Sequence, residues 1–106
     1  AAGERVVVFS HHPLSAGAAE ESHLAWNAAE VRGLLLAHDC VGAAFAGHFH
    51  PGGACCDEGV HFVTVPAVVE APEGTNSWAV LDLGGTDVLE VRGEGLCQSR
   101  TLRLRS

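Results

Sequence analysis

Arg5-Val6-Val7-Val8-Phe9-Ser10-His11-His12-Pro13 is the stretch on which the fold turns, and Val41-Gly42-Ala43-Ala44-Phe45-Ala46-Gly47-His48-Phe49-His50 is its counterpart further on. The first is a continuous β-branched and aromatic run broken by Pro13, the pattern of a strand buried on both faces. The second is a small, apolar strand-like run that ends at Gly47. Between them, Asn27 with Glu30 three residues later reads as a capping box, and Val31, Leu34, Leu35 and His38 follow at helical spacing. The helix is expected to end at about His38 or Asp39. Strand, helix and strand make a βαβ unit, whose right-handed crossover leaves both strands parallel with their carboxyl ends on one edge. That edge receives His11 and His12 from the first strand and His48 and His50 from the second. Open α/β sheets bind ligands at such edges.

Outside this unit the pattern changes. Leu14 to Ser22 is small and acidic and reads as a loop, and Pro51-Gly52-Gly53 with Ala54 to Glu58 reads as another. Val60–Val65, Trp78–Leu83 and Val88–Arg92 then look like successive strands, the last two joined in a hairpin by Gly84-Gly85-Thr86-Asp87. Thr101–Arg105 alternates with period two and is expected to be an edge strand with its arginines in solvent. A buried strand so near the first residue suggests that sequence which should cover it lies outside this chain.

Charge narrows the choice of function. Six Lys and Arg stand against 13 Asp and Glu, a net charge of −7, which argues against general binding to nucleic-acid backbones. An anionic substrate would need local positive charge, and bound cations can supply it. The 106 residues suffice for one small core, and 47% hydrophobic against 18% charged residues fits a globular chain. No run is long and apolar enough for a membrane span, and no signal peptide is visible, so a soluble, intracellular protein is expected. Cys40, Cys55, Cys56 and Cys97 show no C-x-x-C spacing and read as free thiols.

Imidazoles gathered at one edge point to metal, because neutral histidine is a common ligand of Zn, Fe, Ni and Cu, and Mn tolerates mixed oxygen and nitrogen sites. In Gly47-His48-Phe49-His50, the glycine allows a tight turn, and two histidines at i and i+2 of an extended segment can point to one side. The His-x-Pro element His11-His12-Pro13 and the Gly-His-x-His element Gly47–His50, each after a hydrophobic strand, resemble the last two metal-binding motifs of calcineurin-like metallophosphoesterases. Leu24-Ala25-Trp26-Asn27, Gly52-Gly53, Val69-Glu70-Ala71-Pro72, Gly93-Glu94-Gly95 and Ser99-Arg100-Thr101-Leu102 narrow the resemblance to the manganese-dependent ADP-ribose/CDP-alcohol diphosphatase branch.

The resemblance implies an α/β fold: residues 1–106 as the C-terminal half of a metallophosphoesterase α/β/β/α sandwich, one βαβ unit followed by mainly antiparallel strands, with the N-terminal half elsewhere. It implies His11 and His48 as ligands of one ion, His50 as a ligand of the other, and Trp26 and Asn27 as substrate contacts. Two divalent ions are implied, Mn first, with Fe or Zn as alternatives. The chemistry implied is hydrolysis of nucleoside diphosphate-linked substrates, ADP-ribose and CDP-alcohols, in which paired ions polarise a phosphoryl group and lower the pKa of a bound water. The family's Asp-x-His, Gly-Asp-x-x-Asp and Gly-Asn-His elements are nowhere in these residues, so the isolated chain is not expected to catalyse. The expected partners are the N-terminal half of the domain, in cis or as a separate chain, and a nucleotide-type small molecule, with neither nucleic acid nor membrane.

Simpler readings stand beside these. Asn27 also serves as a helix cap, and Trp26 as a staple or core residue. His38 and His61 read as packed, hydrogen-bonded side chains, His23 as a solvated loop residue, and His12 as a bystander, since the family's position between His and Pro varies. Glu70 could orient a ligating histidine or simply be exposed. Cys55 and Cys56 with the nearby histidines suggest a mononuclear zinc site only weakly, because adjacent cysteines rarely both reach one ion. The alternative to an enzyme is a catalytically inactive, phosphatase-derived structural subunit of a larger assembly.

Overall fold

A computed structural model describes residues 4–84 and 87–105. Strands β1 (Val6–Ser10), β2 (Val41–Ala46), β3 (Gly53–Asp57) and β4 (Val60–Thr64) form one sheet in the order β1-β2-β4-β3. β1 and β4 both run parallel to β2, and β3 is antiparallel to β4. β5 (Trp78–Asp82), β6 (Val88–Glu94) and β7 (Arg100–Arg103) form a second, antiparallel sheet. Helix α1 (Ala28–Ala37) closes the βαβ crossover.

Alternation of side chains along the strands sends residues to two cores. On one face of the first sheet, Val41, Ala44, Val60 and Phe62 meet Ala28, Val31, Leu35 and Leu36 of the helix and Leu14 and Ala18 of the loop. On the other face, Ala43, Phe45 and Val63 meet Leu89, Val91, Leu102 and Leu104 beneath the second sheet. β2 lies between the cores and is buried from Val41 to Phe45, which explains its unbroken apolar sequence. Phe62 is fully buried, and its truncation to Ala should cost about 3–5 kcal/mol in transfer and cavity energy. The layers are therefore helix, mixed sheet and antiparallel sheet, as the α/β/β portion of the expected sandwich requires.

Several expectations need correction. β1 is an edge strand among the described residues, with Val6 exposed and Phe9 64% exposed, because β2 is the one strand paired with it. The segment 53–57 is strand β3 and not loop. A two-residue turn with positive φ at both Glu58 (48°) and Gly59 (84°) returns it to β4, the hairpin geometry that matches strand twist. Gly53 opens β3 where a Cβ would stand 2.4 Å from the Ala18 carbonyl oxygen, so the loop after β1 lies against that strand. Leu34 turns to solvent instead of the core, and His38 is also exposed. The capping box is not formed: Asn27 occupies the N-cap, but with φ −107° and ψ 28° its side chain makes no cap bond, since it lacks the extended conformation of an N-cap.

The C-terminal arginines differ among themselves. Arg103 is exposed as expected, but Arg105 turns inward. Its guanidinium donates to the carbonyls of Leu35 (3.1 Å), Leu36 (3.1 Å) and His38 (2.7 Å) at the end of α1, and to Val41 (3.1 Å) and Glu58 (3.3 Å). The final helix carbonyls have no intrahelical donors, and a cation there also complements the helix dipole. Of the turn proposed at Gly84–Asp87, Gly85 and Thr86 lie outside the described residues, although β5 and β6 pair antiparallel as expected. No described helix is long and apolar enough to cross a membrane.

Candidate metal centre

The carboxyl ends of β1 and β2 are joined by a backbone bond from the Gly47 N–H to the His11 carbonyl, 2.9 Å. This contact brings the two histidine segments side by side. Ser10 Oγ donates to the His12 carbonyl at 2.9 Å and folds the chain away from the strand direction, so the next residue, Pro13, can enter the core. Successive residues that would oppose each other in a strand thereby turn their rings to one place. The centroids of His11 and His48 are 5.1 Å apart, those of His11 and His12 4.8 Å, and those of His12 and His48 4.3 Å. One ligand atom from each of these three residues lies within 4.8 Å of the others.

His48 occupies a three-residue turn in which the Phe49 N–H reaches the Gly47 carbonyl at 2.7 Å, and its φ is 63°. An L-residue held there costs about 1–3 kcal/mol and persists only where its surroundings enforce it. The positive φ falls on the histidine and not on Gly47, where an added Cβ would make no contact closer than 3.8 Å. Gly47 is thus not the steric hinge expected of it, and 48–50 is a turn rather than an extended segment. His50 stands outside the group of ligand atoms formed by His11, His12 and His48. His50 Nδ1 faces Glu70 Oε1 at 3.5 Å, so Glu70 is placed to orient that ring.

His23 completes the cluster. It lies on the short 3-10 turn Glu21–His23, with its ring 5.4 Å from that of His48 and 5.0 Å from that of Phe49. Its Nδ1 is buried without a hydrogen-bond partner, which overturns the solvated-loop reading. Desolvation by these rings lowers the pKa of His48, and repulsion from His12, His11, His23 and His50 adds to it in that order. A lowered pKa keeps the imidazole neutral, as ligation requires. Adjacent imidazoles of this kind fit a divalent transition ion.

The other sequence candidates separate clearly. Trp26 is 95% exposed, so neither the staple nor the core reading holds, and Asn27 has an uncommitted side chain beside it. Both follow His23 closely in the chain. His61 is packed as expected, its Nε2 2.8 Å from the Arg103 carbonyl. All four cysteines are free, with Cys55 Sγ 3.4 Å from Ser15 Oγ and away from the histidine group. The rings of His12 and His23 both stand beside that of His48. The doublet His11-His12 before a proline was a usable signal for the first, whereas no spacing in the sequence marks the second.

No family model matches the chain. Individual relatives do. The chain is 37% identical over 103 residues to the manganese-dependent ADP-ribose/CDP-alcohol diphosphatase of Xenopus laevis, covering 96% of this chain and 29% of that protein. The protein of the same description from Oryza sativa subsp. japonica is 38% identical over 81 residues, covering 76% of this chain and 25% of the relative. The Homo sapiens protein so described is 30% identical over 103 residues, covering 96% and 30%. A crystal structure of a dimetal phosphatase from Danio rerio superposes with a TM-score of 0.90 at 35% identity, over 95% of this chain and 32% of that one. The chain therefore spans about 30% of the length of the relatives it matches. By sequence and by fold, this chain is a homologue of the manganese-dependent ADP-ribose/CDP-alcohol diphosphatases.

Proposed function

We propose that this chain supplies the histidine side of a two-metal hydrolase centre that cleaves the phosphoanhydride of ADP-ribose or CDP-alcohols when the N-terminal half of the domain completes it. The observation that carries the reading is the convergence of His11 and His48 at the joined carboxyl ends of β1 and β2, with His50 beyond them against Glu70. In this reading His11 and His48 hold one ion and His50 the other, with Mn favoured by the names of the relatives. Bound divalent ions would supply Lewis-acid polarisation of the phosphoryl oxygens and a lowered pKa for water.

This chain's own residues contribute orientation and substrate contacts. Glu70 holds the His50 ring in orientation. The indole of Trp26 offers an exposed face for a nucleobase, worth about 1–3 kcal/mol when a base stacks on it, and the free amide of Asn27 stands beside it as a hydrogen-bonding group. Water adds across the P–O–P bridge, giving AMP and ribose 5-phosphate from ADP-ribose, or CMP and the phosphorylated alcohol from a CDP-alcohol.

Completion by the N-terminal half is supported by an open apolar groove between the sheets. Phe9, Phe45, Val65, Ala79 and Leu81 line it, with a volume of about 260 Å³. β1 leaves one backbone edge free beside it among the described residues, so strands from the other half could extend the first sheet and bury Phe9. The complete enzyme tests the reading: chelation should abolish ADP-ribose hydrolysis and added Mn should restore it, whereas hydrolysis that survives chelation would reject it.

A further inference from the structure

We propose that His12 joins His11 and His48 as a third imidazole ligand, so that these residues form a site for one divalent transition-metal ion within this chain alone. The proposal rests on the reading of His11 and His48 as ligands given above and adds a residue to it. In the family the position after the first histidine is variable, and His12 looks from the sequence like a bystander. The geometry gives it a different place. Its ring is nearer to that of His48 than the ring of His11 is, 4.3 Å against 5.1 Å.

Three nitrogens at about 2.1 Å from one ion stand about 3.4 Å apart on a tetrahedron. The present ligand atoms lie within 4.8 Å of one another, so small side-chain rotations close the set, and all three side chains are exposed and free to make them. The backbone is already fixed. Ser10 Oγ holds the His12 carbonyl, the Gly47 N–H holds that of His11, and Pro13 is buried directly behind them. A ligand set held in this way loses little freedom on binding. Among the described residues, no hydrogen bond to protein engages the ring nitrogens of His11, His12 or His48, so binding displaces no internal partner.

The donor set also has a chemical consequence. Nitrogen ligands suit Zn, Fe, Co and Ni better than Mn, which prefers oxygen. A third imidazole should therefore raise the affinity of this position for Co and Zn more than for Mn, making His12 a determinant of metal preference.

The test titrates Co(II) into the full 106-residue chain and into His12→Leu, His12→Cys and His11→Ala, followed by calorimetry and visible absorption. Wild type should bind one Co(II) per chain. Removing even an outer partner of a metal ligand weakens affinity about 10- to 100-fold, so His12→Leu should weaken Co(II) at least that much and Mn(II) less. His12→Cys should keep the ion and add a sulfur-to-cobalt charge-transfer band absent from wild type, a signal that arises only if residue 12 touches the metal. Co(II) binding in His12→Leu as tight as wild type, or Co(II)-bound His12→Cys without the new band, would overturn the proposal. If His11→Ala alone loses the ion, the assignment of His11 stands while that of His12 falls. If wild type takes up no Co(II), the self-contained site is refuted, and the two-metal reading is then judged on the completed enzyme.

Discussion

The two ends of the parallel strands are built on opposite principles. At the amino end of β2, one guanidinium satisfies the carbonyls that the helix and strand leave over, for Arg105 donates to Leu35, Leu36, His38, Val41 and Glu58. At the carboxyl end, His11, His12, His23 and His48 crowd together, one with an orphaned nitrogen and one with φ of 63°. Crowded, poorly satisfied imidazoles in a strained turn oppose folding, so their gathering calls for something other than stability. Arg105 serves the fold, and in the proposed reading the histidine edge serves a ligand.

The largest effect expected from this contrast is on turnover. In the completed enzyme, His50→Ala should remove one ion and lower kcat by about a hundredfold or more, while leaving the urea midpoint of the metal-free protein unchanged. His38→Ala, at the satisfied end and with an exposed ring, should alter neither. Equal loss in both variants would erase the distinction. Next, Arg105→Ala should destabilise the protein by about 3 kcal/mol, since several charge-assisted hydrogen bonds, three of them part-buried, are lost together. Urea denaturation measures this, and a change below about 0.5 kcal/mol would show that the cap is ornamental.

Much of this was legible in the sequence. The β-branched run at Val6–Phe9, the small apolar run at Val41–Ala46 and the helical spacing between them gave the βαβ unit, and the position of His11 and His48 at its shared edge follows from topology. Other features depend on contacts that no local pattern carries. β3 was hidden because Gly53-Ala54-Cys55-Cys56-Asp57 has few strand-favouring residues, and it is held by its pairing with β4 and by the close approach of Ala18 to Gly53. The Glu58-Gly59 turn was its one local sign. Arg105 looked like an exposed charge because its acceptors are distant in sequence. His23 reaches the cluster only through the 3-10 turn that carries it back over Phe49.

Two smaller effects sharpen the contrast. His48→Gly should relieve the positive φ and raise stability by up to about 1 kcal/mol in metal-free protein, although the ligand is lost. A fall in stability would mean that the imidazole packing outweighs the strain. The pH dependence is smaller still. The folded-state pKa of His48 is lowered, so as pH falls the unfolded chain binds a proton first. The stability linked to this residue is therefore complete above the ordinary imidazole pKa of about 6.5 and declines as pH drops through that value, until the folded state protonates as well. Imidazole NMR titration of metal-free protein should place His48 below the ordinary imidazole value of about 6.5, and a value at or above it would contradict the account.

The most direct test of the central claim is the metal content of the completed enzyme, measured by inductively coupled plasma mass spectrometry after incubation with Mn and removal of free ions. About two ions per active centre are expected, as two-metal hydrolysis requires, falling to about one in His50→Ala. A protein that retains no metal in either form would show that the histidine edge is not a metal centre.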